Sequence, residues 1–220
     1  MTELATWIEE QTGHSPRDIA LFRRAVTHSS RGGADYERLE FLGDRVLGIA
    51  MAWWLYSCFP DEPEGNLSRR LNVLVSRETC AEVARAIGLN AQMRLGKQAL
   101  DDGAADSDNV LGDMIEALLG ALFIEAGLET AAAFVRRHWE GLLDRQVSAP
   151  KHPKSTLQEW AAANNRKPPE YGLVERLGPQ HAPRFLVEVS IRGVGEARAE
   201  GASKQEAETE AAKALLEKIC

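Results

Sequence analysis

The stretch Val110–Ile124 reads V-L-G-D-M-I-E-A-L-L-G-A-L-F-I, and Asp113 and Glu116 are its only polar side chains. A helix that is apolar all round is a buried helix. A charge inside one is costly unless it is paired or bound to a cation. Two carboxylates three residues apart share one side of such a helix. They read as ligands.

A second carboxylate set lies upstream in Glu37-Arg38-Leu39-Glu40-Phe41-Leu42-Gly43-Asp44-Arg45-Val46-Leu47. Leu39, Leu42, Val46, Ile49, Ala50 and Trp53 recur at helical spacing, so the pattern predicts a long helix running towards Phe59. Glu40 and Asp44 lie one turn apart on it, and Glu37 shares that side. Like charges at this spacing repel, so a cation or a proton must join them.

Residues 1–145 read as all-helical, with no convincing period-two alternation. Leu4, Trp7 and Ile8 mark a first helix ended by Gly13. Ser15-Pro16 predicts the start of a second helix, carrying Ile19, Phe22 and Val26. Thr27-His28-Ser29-Ser30 follows, and on chemistry alone His28 reads as a structural hydrogen-bonder rather than a ligand. Phe59–Arg69 reads as a loop holding Glu64, with Arg69 and Arg70 opening the next helix as surface charge. Ser76 caps a helix that ends at Gly88. Leu95–Asn109 reads as a Gly- and Asp-rich loop. Gly127 ends the buried helix, and a last helix covers about 129–143.

Gln146–Pro153 is short, polar and proline-punctuated, as a linker is. Beyond it the pattern becomes helix, three strands, helix. Ser155-Thr156-Leu157-Gln158 reads as a capping box opening a helix to about Ala163. Tyr171–Leu177, Phe185–Ile191 and Gly195–Glu200 read as strands, the second with Phe185, Val187, Val189 and Ile191 on one face. Ser203-x-x-Glu206 is a second capping box, opening a helix with Ala207, Ala211 and Leu215 on its inner side.

E-R-L-E-F-L-G-D-R-V-L at 37–47 resembles the signature motif of the ribonuclease III family nearly residue for residue. The loop F-P-x-x-x-E-G at 59–65 and the T-H-x-S at 27–30 resemble the same family. T-L-Q-E at 156–159, P-x-Y at 169–171, G-P-Q-H at 178–181 and G-A-S-K-Q-E-A-E at 201–208 resemble the double-stranded RNA-binding domain. The resemblance implies an all-α, ribonuclease III-like catalytic domain over 1–145, a linker at 146–153, and a small α+β domain of α-β-β-β-α order over 154–220.

It also implies an endoribonuclease that hydrolyses double-stranded RNA to 5′-phosphate and 3′-hydroxyl ends with short 3′ overhangs, in RNA processing. Glu40, Asp113 and Glu116 would be direct Mg²⁺ ligands, with Mn²⁺ as a substitute. Asp44 would either ligate or orient the water, and Glu37 and Glu64 would be secondary acids. Hard oxygen donors suit Mg²⁺. RNA would be held by Gln158, His181, Ser203, Lys204 and His28; duplex RNA is read by shape and backbone. The family further implies a homodimer with Phe41 as the apolar knob, and no small-molecule cofactor.

One departure weakens the RNA module. Gln205 stands where such domains carry a second lysine, and Glu206, Glu208 and Glu210 follow. Fewer cations release fewer counterions, so modest binding is expected. Residues 1–150 hold 15 Lys+Arg and 23 Asp+Glu, and residues 151–220 hold 11 and 10, within an overall net charge of −7. An acidic total argues against nucleic acid unless local sites carry the binding.

The three cysteines fall in no metal or disulfide pattern, which fits a cytoplasmic protein. The N-terminus has no basic signal region, and the longest apolar run, Val46–Tyr56, is too short to span a membrane. Two rivals remain. A non-cleaving double-stranded RNA-binding protein would have lost an acidic ligand, and none is lost. A helical metal-carboxylate oxidoreductase favours Glu-x-x-His pairs, and no histidine sits so.

Overall fold

The structure is a computed structural model that describes residues 3–146, 152–177 and 183–219. It forms two compact units, Met1–Pro150 and Lys151–Cys220. G-P-Q-H with His181, most of the expected linker, and Cys220 lie outside the described residues.

The first unit is helical: α1 (Glu3–Thr12), α2 (Ile19–Ala25), α3 (Glu37–Cys58), α4 (Glu64–Leu74), α5 (Arg77–Ala86), α6 (Lys97–Asp101) and α7 (Asp108–Asp144). Its centre is the pair α3 and α7. Val46, Leu47, Ala50, Met51 and Leu55 bury in one core with Ile115, Leu118, Leu119 and Leu122. At Gly127 the backbone leaves the helical region with φ 81°, so α7 is two helical arms joined at a break. A glycine takes that conformation without a Cβ penalty. Over its apolar stretch α7 is long and apolar enough to cross a membrane by composition, yet here it is the core helix. Two buried indoles fix the periphery: Trp7 Nε1 donates to the Ile87 carbonyl (2.9 Å) and Trp139 Nε1 to that of Leu74 (2.8 Å).

Two glycines set how closely the central helices meet. A Cβ on Gly43 would collide with the Glu116 carbonyl, and one on Gly120 with the Leu39 carbonyl. Backbone therefore touches backbone where α3 crosses α7. This contact brings the turn carrying Glu116 against the turn carrying Glu40.

Several local expectations need correction. Ser15-Pro16 is not helical. Asp18 caps α2 instead, its Oδ1 accepting from the amides of Ala20 and Leu21. The helix expected to open at Arg69 begins at Glu64, because Pro63 caps it in an extended conformation with ψ 155° and Glu64 enters as the first helical residue. Arg70 is buried rather than surface charge, at 1% exposure. Its Nε and Nη2 donate to both Glu62 oxygens (2.9 and 2.7 Å), its Nη1 donates to the Gln146 carbonyl, and it stacks 3.9 Å above the Phe59 ring. Leu95–Asn109 is not all loop, since α6 and a 3-10 turn at Ala104–Asp106 form within it.

The second unit has α8 (Pro153–Ala163), β1 (Glu170–Leu177), β2 (Arg184–Ile191), β3 (Gly195–Gly201) and α9 (Lys204–Ile219). The sheet is antiparallel in the order β1-β2-β3, with a bulge in β1 between Leu173 and Glu175. Val187, Val189 and Ile191 bury on one face, as their alternation predicts. Val189 and Ile191 pack with Leu157 and Ala161 of α8 and Ala211 and Leu215 of α9. The first capping box does not form: α8 starts two residues before Ser155, with Pro153 at its first position. The second does. Ser203 Oγ accepts from the Glu206 amide (3.1 Å), and Glu206 reaches back to the amide of Ala202 (2.7 Å).

Candidate active site

Glu40 of α3 and Asp113 and Glu116 of α7 share one partly buried region. Burial raises the Glu40 carboxyl above its usual value, and the charge on Asp113 adds to this. Burial pushes Glu116 up to about 7, with Glu40 and then Asp113 acting in the same direction. Arg45 and Arg77 oppose the rise. Such mutual perturbation needs the three groups to be close in a poorly solvated place. It is also the electrostatic condition that a cation relieves.

Tyr36, the residue before α3, is a member that spacing arguments do not find. Its hydroxyl donates to Asp113 Oδ2 (3.1 Å). Burial, then the charge and hydrogen bond of Asp113, hold its pKa far above 10, so it stays a donor. His28 lies beside it, ring to ring at 5.7 Å, while its Nδ1 engages the amide and hydroxyl of Ser30. His28 is thus a structural hydrogen-bonder on the edge of the acidic cluster.

The other expected acids are placed differently. Asp44 pairs with Arg45 and is not among the charges acting on Glu40 or Glu116. Glu37 is exposed at the rim, where its charge adds to the rise of Glu40 and Tyr36. Glu64 accepts from Ser68 Oγ (2.6 Å) within α4, and no interaction joins it to the cluster among the described residues.

The donor chemistry fits a hard divalent cation such as Mg²⁺, which takes oxygen ligands and keeps several waters. Among the described residues no three Asp, Glu, His or Cys side chains already stand at metal-holding distance. Glu40 and Glu116 are long and only partly buried. They can therefore close on an ion by changing rotamer, with the backbone fixed by Gly43 and Gly120.

An apolar stripe runs along the open side of α3. Phe41, Ile49, Trp53 and Tyr56 are each more than half exposed, as is Ile124 of α7. Ile49 and Trp53 share the helical spacing of Leu39, Val46 and Ala50, but α3 has two apolar faces and only one meets the core. Arg45 covers part of Phe41, 5.2 Å above its ring.

In the second unit Gln158, Ser203 and Lys204 are exposed. Gln158 lies on α8, and Ser203 and Lys204 lie at the N-terminus of α9.

The Ribonuclease-III-like family model matches residues 18–140, and the double-stranded RNA binding motif matches 153–219. The Ribonuclease 3 of Zymomonas mobilis is 63% identical over 212 residues, covering 96% of this chain and 86% of that protein. The chain belongs to the ribonuclease III family. The Ribonuclease 3 of Caulobacter vibrioides is 47% identical over 96% of this chain and 94% of its own length. The crystal structure of the ribonuclease III nuclease domain from Campylobacter jejuni superposes with a TM-score of 0.61 at 30% identity, over 64% of this chain and 97% of that one. In ribonuclease III terms, α3 carries the signature motif and α7 the second acidic pair.

Proposed function

We propose that this chain cuts double-stranded RNA as a homodimer, with Mg²⁺ held by Glu40, Asp113 and Glu116 and with Asp44 either ligating the ion or orienting water. As a ribonuclease III it is an endoribonuclease of double-stranded RNA. The observation that carries the metal assignment is the convergence of three mutually repelling carboxylates on two helices locked at Gly43 and Gly120. When bound, the ion would activate water and neutralise the phosphate and the leaving oxygen. The chain's own part is to hold those oxygens in place. Tyr36 fixes Asp113, and the buried sides of α3 and α7 keep the carboxylates poorly solvated, which strengthens their attraction for a cation.

The apolar stripe supports the homodimer. A contiguous exposed apolar face marks an interaction site, and a self-complementary patch is what a two-fold dimer buries. A solved Campylobacter jejuni ribonuclease III nuclease domain is described with a region involved in dimer formation. Phe41 is the proposed knob. Gln158, Ser203 and Lys204 of the second unit, with His181, would contact the RNA backbone and ribose hydroxyls. Free thiols at Cys58 and Cys80 support action in the cytoplasm.

One incubation tests the reading. The full chain is mixed with a long RNA duplex or its single strands, with Mg²⁺ or with a chelator. Expected are short duplex products with 5′-phosphates from the duplex, only in Mg²⁺. Duplex binding without cutting in Mg²⁺ would favour the non-cleaving binding protein instead.

A further inference from the structure

The first turn of α5 lies against α7 just before the acidic pair. The place where a side chain of Gly112 would begin is 3.4 Å from Cγ of Arg77 and 3.8 Å from Cβ of Cys80. Arg77 and Cys80 are three residues apart, so they share one side of α5. Gly112 and Glu116 are four apart and share one side of α7. That side of α5 therefore faces the turn that carries Asp113 and Glu116. Cys80 registers the same closeness. It is fully buried, and burial, then the charge of Glu116, push its thiol up to about 12.

Arg77 differs from Cys80 in its outer half. Its stem passes over Gly112, yet the residue as a whole is exposed. Long cationic side chains pack the stem and keep the head in water. Among the described residues no hydrogen bond or ion pair holds the guanidinium of Arg77. Arg45 and Arg77 are the two cations whose charge reaches Glu116. Arg45 is paired with Asp44 and lies over Phe41. Arg77 is the one without a carboxylate of its own, and it stands beside three carboxylates that repel each other.

We propose that Arg77 is the resident counter-charge of the acidic cluster, a positioning residue that lowers the affinity of the empty site for Mg²⁺ and so ties retention of the ion to the arrival of the RNA phosphate. The inference rests on the metal reading above. Three carboxylates in one poorly solvated place attract any cation. Arg77 satisfies part of that attraction in advance, and a divalent ion that enters meets a like charge. A phosphate entering with the substrate brings negative charge, which offsets Arg77 and strengthens the hold on the ion. The guanidinium is exposed, so water and salt screen it and the effect is a few-fold rather than orders of magnitude.

The test is a calorimetric titration of the full chain with Mg²⁺ in the absence of RNA. It is run at pH 9, where protons no longer compete with the ion for Glu116. Arg77→Met keeps the stem over Gly112 and removes the charge. It should bind Mg²⁺ about three- to fivefold more tightly than wild type. Arg77→Glu adds a negative charge and should bind more tightly still. Arg77→Lys should match wild type, and so should Arg145→Gln, which removes a charge at the far end of α7. The gain in Arg77→Met should shrink as KCl is raised.

A residue that only props α5 against α7 would behave in the opposite way, because damage to the site weakens metal binding. Affinity that is unchanged or weaker in Arg77→Met, or that does not follow charge across the series, overturns the proposal. The metal reading then still stands if Glu116→Gln has lost Mg²⁺ binding. If Glu116→Gln binds Mg²⁺ as tightly as wild type, the metal reading falls and the role of Arg77 falls with it.

Discussion

The carbonyl of Glu116 occupies the space where a side chain of Gly43 would be. That contact makes the separation of α3 and α7 depend on one missing methyl group. Gly43→Ala must push backbone away from backbone, which typically costs about 1–3 kcal/mol in a packed core. It should also move Glu116 away from Glu40 and lower cleavage by at least tenfold. Gly48, five residues on along the same helix, has open space around it. Gly48→Ala should be neutral or slightly stabilising, by up to about 1 kcal/mol. Thermal melts and a cleavage time course on both variants check the contrast. Equal effects at the two positions would mean that the crossing is not set by glycine.

The carboxylates are legible in the sequence because burial makes charge conspicuous. Asp113 and Glu116 stand alone in an apolar helix, and Glu40 falls in a motif of unusual specificity. The glycines are not legible as spacers, since a close crossing depends on which turn faces which helix. Arg70 looks like surface charge in the sequence for a related reason. Its partner Glu62 is eight residues away across a turn, and its third contact is the Gln146 carbonyl at the far end of the unit. Ile49 and Trp53 follow the helical period, but period alone cannot tell a core face from an interface.

Arg70 supplies a test of that burial. Arg70→Ala removes a bidentate pair, a carbonyl contact and a ring stack together. Glu62 keeps some solvent access, at 22% side-chain exposure, so the destabilisation should fall near the lower end of the roughly 3–5 kcal/mol typical of a broken buried pair. Melting temperature should fall clearly, while the salt slope of duplex binding stays unchanged. A lowered slope with unchanged melting would make Arg70 a phosphate contact instead.

Phe41→Ala separates association from folding. Phe41 is 64% exposed within one subunit, so its truncation should barely change the stability of the isolated fold. At a dimer interface a central aromatic is worth about 2–4 kcal/mol. Sedimentation at decreasing concentration should show a monomer appearing well above the wild-type range. A variant as dimeric as wild type at nanomolar concentration would rule the knob out.

Glu125 governs a pH effect. Its side chain is 6% exposed and accepts from the amides of Arg17 (2.9 Å) and Asp18 (2.7 Å) and from His14 Nε2 (2.6 Å). Burial opposes its ionisation, but the two amides and His14 together outweigh burial and hold its pKa below 4.5. A carboxylate depressed in the folded state stabilises fully above its unfolded value, and that contribution is lost as pH falls through the folded one. Wild-type stability should therefore drop as pH falls below about 4.5. Glu125→Gln should be less stable at neutral pH by about 1.5–3 kcal/mol, the range for hydrogen bonds to a charged group, and its acid slope should be shallower. Denaturant melts at a series of pH values measure both. Parallel curves for the two proteins would show that Glu125 plays no part in the acid response.

Glu116→Gln separates binding from chemistry. Glu116 sits in an otherwise apolar stretch of α7, one turn from Asp113, and the charges on Glu40 and Asp113 oppose its ionisation. Glutamine keeps the shape and removes the charge that a cation needs. Mg²⁺ should bind weakly, and cleavage should fall by orders of magnitude. Duplex binding should survive, because Gln158 and Lys204 lie in the other unit. Stability in a chelator should rise, since one partly buried like-charge repulsion disappears. Three measurements on the same preparation decide the matter: a gel shift, a cleavage time course in Mg²⁺, and a melt in chelator. Cutting within a few-fold of wild type would remove Glu116 from the metal site. A variant that neither binds nor cuts but melts higher than wild type would show that this carboxylate, through its ion, also holds the RNA, and the division of labour between the two units would be wrong.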